Sequence, residues 1–268
     1  MNHLLRGHAP ITDAGWTLLD DEARERLRSA LAARKLVDFD GPRGWEHSAT
    51  NLGRTTALKK TPIEGLRAAR RRVLELVEVR AQFSVSRAEL ADGDRGAEDV
   101  DLDDLDEAAH RIATVENLAV FHGWSDAAIG GITEVTSHPA IPLADDGFEQ
   151  YPRHVAKAVQ LLLEAGVEGP YGLALGPECY TGVVETAEHG GYPLLDHLRK
   201  ILGGPIVWAP GVRGAVVLSL RGGDFLFESG QDLSIGYEHH DADAVHLYLE
   251  ESFSFRVATP EAAVALQA

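Results

Sequence analysis

Apolar positions recur at helical spacing near the start of the chain, where Trp16, Leu19, Ala23, Leu27, Ala30 and Leu31 form one stripe. Thr12 stands where a helix N-cap belongs and Pro10 precedes it by two residues, so the pattern predicts a helix over 12–34. From 50 to 85 the helical period is lost and the chain reads as an extended arm. Within it, 64–72 fits a short helix and 74–85 alternates apolar and polar side chains in loose strand fashion. A second long helix is predicted over 102–122, with Leu105, Ala109, Ile112, Val115 and Ala119 on one side and Gly123 as its stop. A third covers 148–165 and ends at Gly166. Beyond it, strands at 172–175, 205–208 and 215–220 alternate with short helices at 177–187 and 193–202. Strands at 225–228, 244–250 and 252–257 follow. This is an α+β mixture without regular βαβ alternation.

No repeat, low-complexity tract or Pro/Ser-rich linker divides the 268 residues, which suffice for one large domain or two small ones. Apolar residues at 44% and charged residues at 25% fit a soluble globular protein. Apolar runs such as 215–220 are far too short for a bilayer, which takes about 20 residues, so no membrane partner is expected. Residues 1–10 lack an apolar core of signal-peptide length, and the single cysteine, Cys179, fits a reducing interior; the expected location is cytoplasmic. A net charge of -17 argues against binding nucleic acid by counterion release. The charge is uneven. Ten acidic side chains between Glu89 and Glu107 face only Arg95, whereas Lys59, Lys60, Arg67, Arg70, Arg71 and Arg72 form a basic stretch upstream. Both fit solvated faces, and both fit complementary surfaces meeting between copies of the chain.

Catalytic signatures are missing: there is no G-x-S-x-G, Walker A loop, H-E-x-x-H or C-x-x-C. Asp92-Gly93-Asp94-Arg95-Gly96 begins like a calcium loop but lacks the acidic or amide residue at its fifth position and the Glu at its twelfth. His239, His240, Asp241, Asp243 and His246 are the best metal candidates. Adjacent strand residues point to opposite faces, so His239 and His240 are not expected to share an ion, and a polar turn between strands is the simpler reading. Cys179 has no paired histidine in the pattern and reads as an inert thiol. No catalytic, metal or cofactor site is expected, and the chain is not expected to be an enzyme.

Three other segments are informative together: Gly41-Pro42-Arg43-Gly44-Trp45-Glu46, Gly230-Gln231-Asp232-Leu233-Ser234-Ile235-Gly236-Tyr237 and Glu251-Ser252-Phe253-Ser254-Phe255. Ala9-Pro10, Arg34-Lys35-Leu36-Val37-Asp38, Glu168-Gly169-Pro170-Tyr171 and Arg221-Gly222-Gly223-Asp224 accompany them in order. This combination resembles the family 1 encapsulins, nanocompartment shell proteins once called linocin-type bacteriocins. The resemblance implies the fold of tailed-phage major capsid proteins, with a P-domain, an E-loop and an A-domain. Carried onto this chain, 1–47 gives the N-terminal helix and the start of the P-domain, and 48–76 the E-loop. The P-domain resumes with its spine helix over 77–135, the A-domain spans 136–220, and P-domain strands close the chain over 221–268. An arm with unpaired strand edges makes poor sense in an isolated monomer, and in a shell it pairs with a neighbour.

The resemblance further implies self-assembly into an icosahedral shell, with sixty subunits as the simplest arrangement. The enclosed enzyme would be a dye-decolorising peroxidase or a ferritin-like protein, which connects the shell to oxidative stress or iron storage. Such cargo is captured by a C-terminal targeting peptide in an apolar groove on the inner wall. By that resemblance Trp16, Leu19, Ala23, Leu27 and Leu31, with Ile235 and Tyr237, are the candidate docking residues. Sequence alone leaves open which of them face a groove and which face the core. His189, Gly190, Gly191 and Tyr192 resemble the loop lining the five-fold pore; their bland reading is a helix-to-helix turn. Some members bind a flavin through a tryptophan shortly after an Arg-Ala-x-Phe stretch. Here Arg80-Ala81-Gln82-Phe83 is followed by Arg87-Ala88-Glu89 without an aromatic residue, so no flavin is expected. Two rivals are a true phage capsid protein, whose chain often carries a scaffolding segment first, and a secreted bacteriocin or protease.

Overall fold

Thr12 caps the first helix through its hydroxyl, which accepts from the Gly15 backbone N–H at 3.0 Å. The computed structural model describes residues 3–143, 147–187 and 191–267. Helix α1 runs Asp13–Ala30 and buries Trp16, Leu19, Ala23, Leu27 and Ala30, so the sequence stripe is its buried face. It ends four residues before the expected Arg34, where a 3-10 turn, Ala33–Lys35, takes over.

Strand β1 (Asp38–Asp40) is followed by β2 (Ala49–Ala57) and β3 (Ala69–Glu75), which pair antiparallel with Thr50 opposite Leu74 and Ala57 opposite Ala69. This hairpin is almost wholly solvent-facing, and Leu58, Ile63, Leu66 and Val73 are exposed on it. The helix expected over 64–72 does not form. Residues 69–72 are strand, paired with 54–57, and Gly65 adopts a left-handed φ of 83° that interrupts a helical turn. Strand β4 (Val77–Ser86) leads into α2 (Arg87–Asp94), a helix that the acidic composition of the segment conceals. Helix α3 (Asp103–His122) follows. Asp103, Asp104 and Asp106 lie in its first turn, where the helix dipole favours negative charge, and Gly123 at φ 84° ends it.

The remaining elements are α4 (Ile132–Val135), β5 (Ile141–Pro142), α5 (Tyr151–Glu164), β6 (Tyr171–Leu175), α6 (Pro177–Glu185) and α7 (Leu194–Leu202). Strands β7 (Ile206–Trp208), β8 (Ala215–Ser219), β9 (Phe225–Ser229), β10 (Ser234–His240), β11 (Ala244–Val257) and β12 (Ala263–Gln267) complete the chain. The two strands expected at 244–250 and 252–257 are one continuous β11.

The first sheet has the order β1-β9-β11-β10, with β4 on the other edge of β11. The second has the order β5-β12-β8-β6-β7. Sheet membership therefore does not follow the division at residue 221 read from the sequence, because β12 lies between β5 and β8. Two buried clusters result. One joins α1, the first half of α3, β4, β10 and β11; the other joins the end of α3, α5, the second sheet and the rings of Phe225, Phe227, Phe253 and Phe255. Helix α3 runs through both, and the fully buried Asn117 fastens them. Its amide oxygen accepts from the N–H groups of Ala32 and Ala33, and its NH2 donates to the carbonyls of Ala30 and Pro210. No helix among the described residues is long and apolar enough to cross a membrane.

Candidate functional site

The three sequence segments that stood out meet at one place. Arg43 donates its backbone N–H to the Ser229 carbonyl and Gly44 donates to that of Gly230, both at 2.9 Å. Gly230 in turn donates to the Ser252 carbonyl, and Gln231 to the Ser252 hydroxyl. The loop 41–46, the turn after β9 and the middle of β11 are thus laced by main-chain bonds that depend on close backbone approach. Trp45 stays half exposed and stacks on His3, with ring centroids 4.5 Å apart. His3 also reaches the buried Glu250 at 2.7 Å, opposite Arg80 at 2.8 Å. The root of the hairpin is fixed nearby, where His47 and Thr50 each bond Glu228 at 2.7 Å.

Beside this junction lies Arg34. Its Nε donates to Glu116 of α3 at 2.6 Å, one terminal nitrogen to Asp232 at 2.6 Å and the other to Glu251 of β11 at 2.8 Å. The guanidinium also faces the rings of Phe39 and Phe227. Burial lowers the guanidinium's pKa, but Glu116, Glu251 and Asp232 more than reverse that and leave it raised. Burial pushes the carboxyls of Glu116 and Glu251 up, Glu251 further because Glu116 lies against it. Sequence reading missed this cluster, although a signal existed. Glu116 stands four residues after Ile112, on the apolar stripe of α3, and takes the buried place while Val115 is only half-buried.

A groove of about 470 Å³ opens next to the cluster. Ala23, Leu27, Leu31, Leu233, Ile235 and Leu249 line it, together with the charged Arg6, Asp20, Arg24, Arg28, Arg34 and Asp232. Of the seven expected docking residues, the structure brings Ala23, Leu27, Leu31 and Ile235 together here. Trp16, Leu19 and Tyr237 do not line it. Leu19 is fully enclosed in the core. Trp16 is covered by Arg6, whose guanidinium carbon lies 4.0 Å from the ring centroid, and Tyr237 donates its backbone N–H to the Leu4 carbonyl and bonds His240 through its hydroxyl. The chain's own N-terminal segment thus covers Trp16 and pairs with the main chain of Tyr237.

Of the expected pore residues, His189 and Gly190 lie outside the described residues. Gly191 has φ 80°, and the Tyr192 ring receives the Lys200 ammonium at 4.9 Å from its centroid. His239 and His246 are cross-strand partners with rings stacked at 4.3 Å, while His240 turns away to Tyr237. Asp241 accepts from the N–H groups of Ala244 and Asp243, which holds its carboxyl down at about 2. No group of three or more His, Cys, Asp or Glu among the described residues is placed to hold a metal ion.

Comparison with known proteins agrees with this picture of closely tied structural segments. A family model described as an encapsulating protein for peroxidase matches residues 1–254. The type 1 encapsulin shell protein of Rhodospirillum rubrum is 47% identical over 272 residues, covering 100% of this chain and 97% of the relative. Among solved structures, the virus-like particle from Pyrococcus furiosus has a TM-score of 0.63 at 18% identity, covering 94% of this chain and 99% of the other. The capsid of an empty GTA particle has a TM-score of 0.56 at 15% identity, covering 89% and 90%. These last two likenesses show the fold, that of tailed-phage capsid proteins.

Proposed function

The chain belongs to the type 1 encapsulin family of shell proteins, and from that membership we propose that its shell encloses an enzyme held by a short C-terminal tail. The observation that carries this reading is the groove between α1 and β10, where Ala23, Leu27, Leu31, Leu233, Ile235 and Leu249 form an apolar floor beside the charged Arg6, Asp20, Arg24, Arg28, Arg34 and Asp232. Each such contact is weak, and many copies in one shell supply the avidity. A peroxidase is the first candidate for the enclosed enzyme, since the family model carries that description, and a ferritin-like protein is the second.

In this reading the first sheet with α3 is the P-domain, the β2–β3 hairpin is the E-loop and the second sheet is the A-domain. The hairpin supports assembly because Leu58, Ile63, Leu66 and Val73 expose about half or more of their surface on it. Sixty copies form the simplest closed shell. Residues 189–192 border its five-fold opening and govern which small molecules enter without acting on them. Homologues are named as shell proteins, and chemistry in this reading belongs to the cargo alone.

The test is to purify shells from the native host and identify the enclosed protein by mass spectrometry. Removing that protein's C-terminal tail should leave closed shells that are empty of it. Shells that contain no enzyme, or loading that survives loss of the tail, would overturn the proposal.

A further inference from the structure

Arg34 brings one positive charge to three carboxylates, and two of these are buried without access to water: Glu116 is 0% and Glu251 1% exposed. Each gives one oxygen to Arg34. The second oxygen of each, Oε1 in both cases, is buried with no hydrogen-bond partner among the described residues. Two fully ionised carboxylates side by side under a single shared guanidinium would leave one buried charge uncompensated, which is costly. The other groups on Arg34 are Asp232, from the loop between β9 and β10, and the uncharged rings of Phe39 and Phe227. The adjacent Glu250 is occupied by His3 and Arg80. Among the described residues no further cation bonds either orphaned oxygen.

We propose that Glu116 and Glu251 hold one proton between their orphaned oxygens at neutral pH, forming a hydrogen-bonded acid–carboxylate pair that clasps α3 to β11. One group is then the donor that the other lacks, and Arg34 balances the single remaining buried charge. Because Arg34 and Asp232 also line the groove, the clasp joins the protonation state of the core to the charge on that lining. Burial, and then mutual repulsion for Glu251, raise both carboxyls and agree with the geometry. The sign follows. Groups with raised native values bind more protons folded than unfolded, so their contribution is full below the ordinary glutamate range. It declines as pH rises from there toward the native value of the pair.

Isotope-edited infrared spectroscopy of assembled shells carrying 13C-labelled glutamate reads the proton directly. The expected result is a protonated-carboxyl C=O band at neutral pH that is lost in both Glu116→Gln and Glu251→Gln. Either amide can replace the proton as donor to the remaining carboxylate, so both variants should fold and show a flatter fall of unfolding temperature with rising pH than the parent. Absence of the band from the parent shells, or its survival in Glu251→Gln, would overturn the shared proton even if a variant failed to fold.

Discussion

Gly41 leaves no room for a β-carbon against Ser229: one built there would stand 2.6 Å from the Ser229 carbonyl oxygen. Its φ of 131° is also one that a side-chain-bearing residue seldom adopts. Gly41→Ala should therefore push the loop 41–46 off the turn at 229–230. A cost of about 1–3 kcal/mol is expected from backbone strain alone, with further loss from broken main-chain bonds. Denaturant unfolding of the variant should show a lower midpoint, and electron microscopy fewer closed shells.

Arg34→Met should be among the most damaging single changes in the chain. It strips Glu116 and Glu251 of their common partner, and breaking a buried charge cluster costs about 3–5 kcal/mol. Arg34→Lys should rescue only part of this, because a lysine ammonium cannot present the flat fork that meets three carboxylates from different elements. Unfolding midpoints of the two variants, compared at one pH, check the order.

Substitutions along α1 should divide into two outcomes. Leu19→Asp places a carboxylate in the enclosed core and is expected to give insoluble or unfolded protein. Ala23→Asp and Leu31→Asp place it where the groove meets the core, at positions 4% and 9% exposed, and should weaken the subunit less than Leu19→Asp while reducing the cargo copurified per shell at least several-fold. Quantitative mass spectrometry of shell contents, normalised to shell protein, distinguishes the two. Full loading in both groove variants would remove α1 from the docking surface.

The β2–β3 hairpin carries Arg54, Arg70, Arg71 and Arg72 in an exposed position and contributes no residue to either buried cluster. Replacing residues 58–68 by a short Gly-containing turn should preserve the subunit's circular dichroism spectrum and abolish closed shells. Changing Arg70, Arg71 and Arg72 together to Glu should have the same effect, weaker at high salt where charge contrast is screened. Light scattering coupled to size-exclusion chromatography reports the assembled mass.

Elements whose stability is local were legible before the structure: Thr12 caps α1, Gly123 stops α3, and the apolar period of α1 marks its buried face. Elements made by distant pairing were not. Residues 69–72 contain helix-forming side chains, yet they pair with 54–57 because the hairpin satisfies their backbone, and intrinsic propensity yields to that. Strand β12 was invisible for the same reason, since its partners lie about fifty and more than a hundred residues away. At the site, Ala23, Leu27, Leu31 and Ile235 could be grouped by family likeness, but the N-terminal segment that covers Trp16 and bonds the main chain of Tyr237 could not be foreseen from the helix pattern. Glu116 and Glu251 read as ordinary polar positions because burial of a charge is a property of the assembled core.

The place of β12 has a consequence for synthesis. Residues 263–267 fill the gap between β5 and β8, so a nascent chain that has emerged only to residue 262 has a second sheet split into two unjoined parts. That layer completes itself only after translation has passed its last strand and the ribosomal tunnel has let it go. A subunit whose β12 is not yet available therefore lacks a complete second layer, and the folding of that layer waits on this strand.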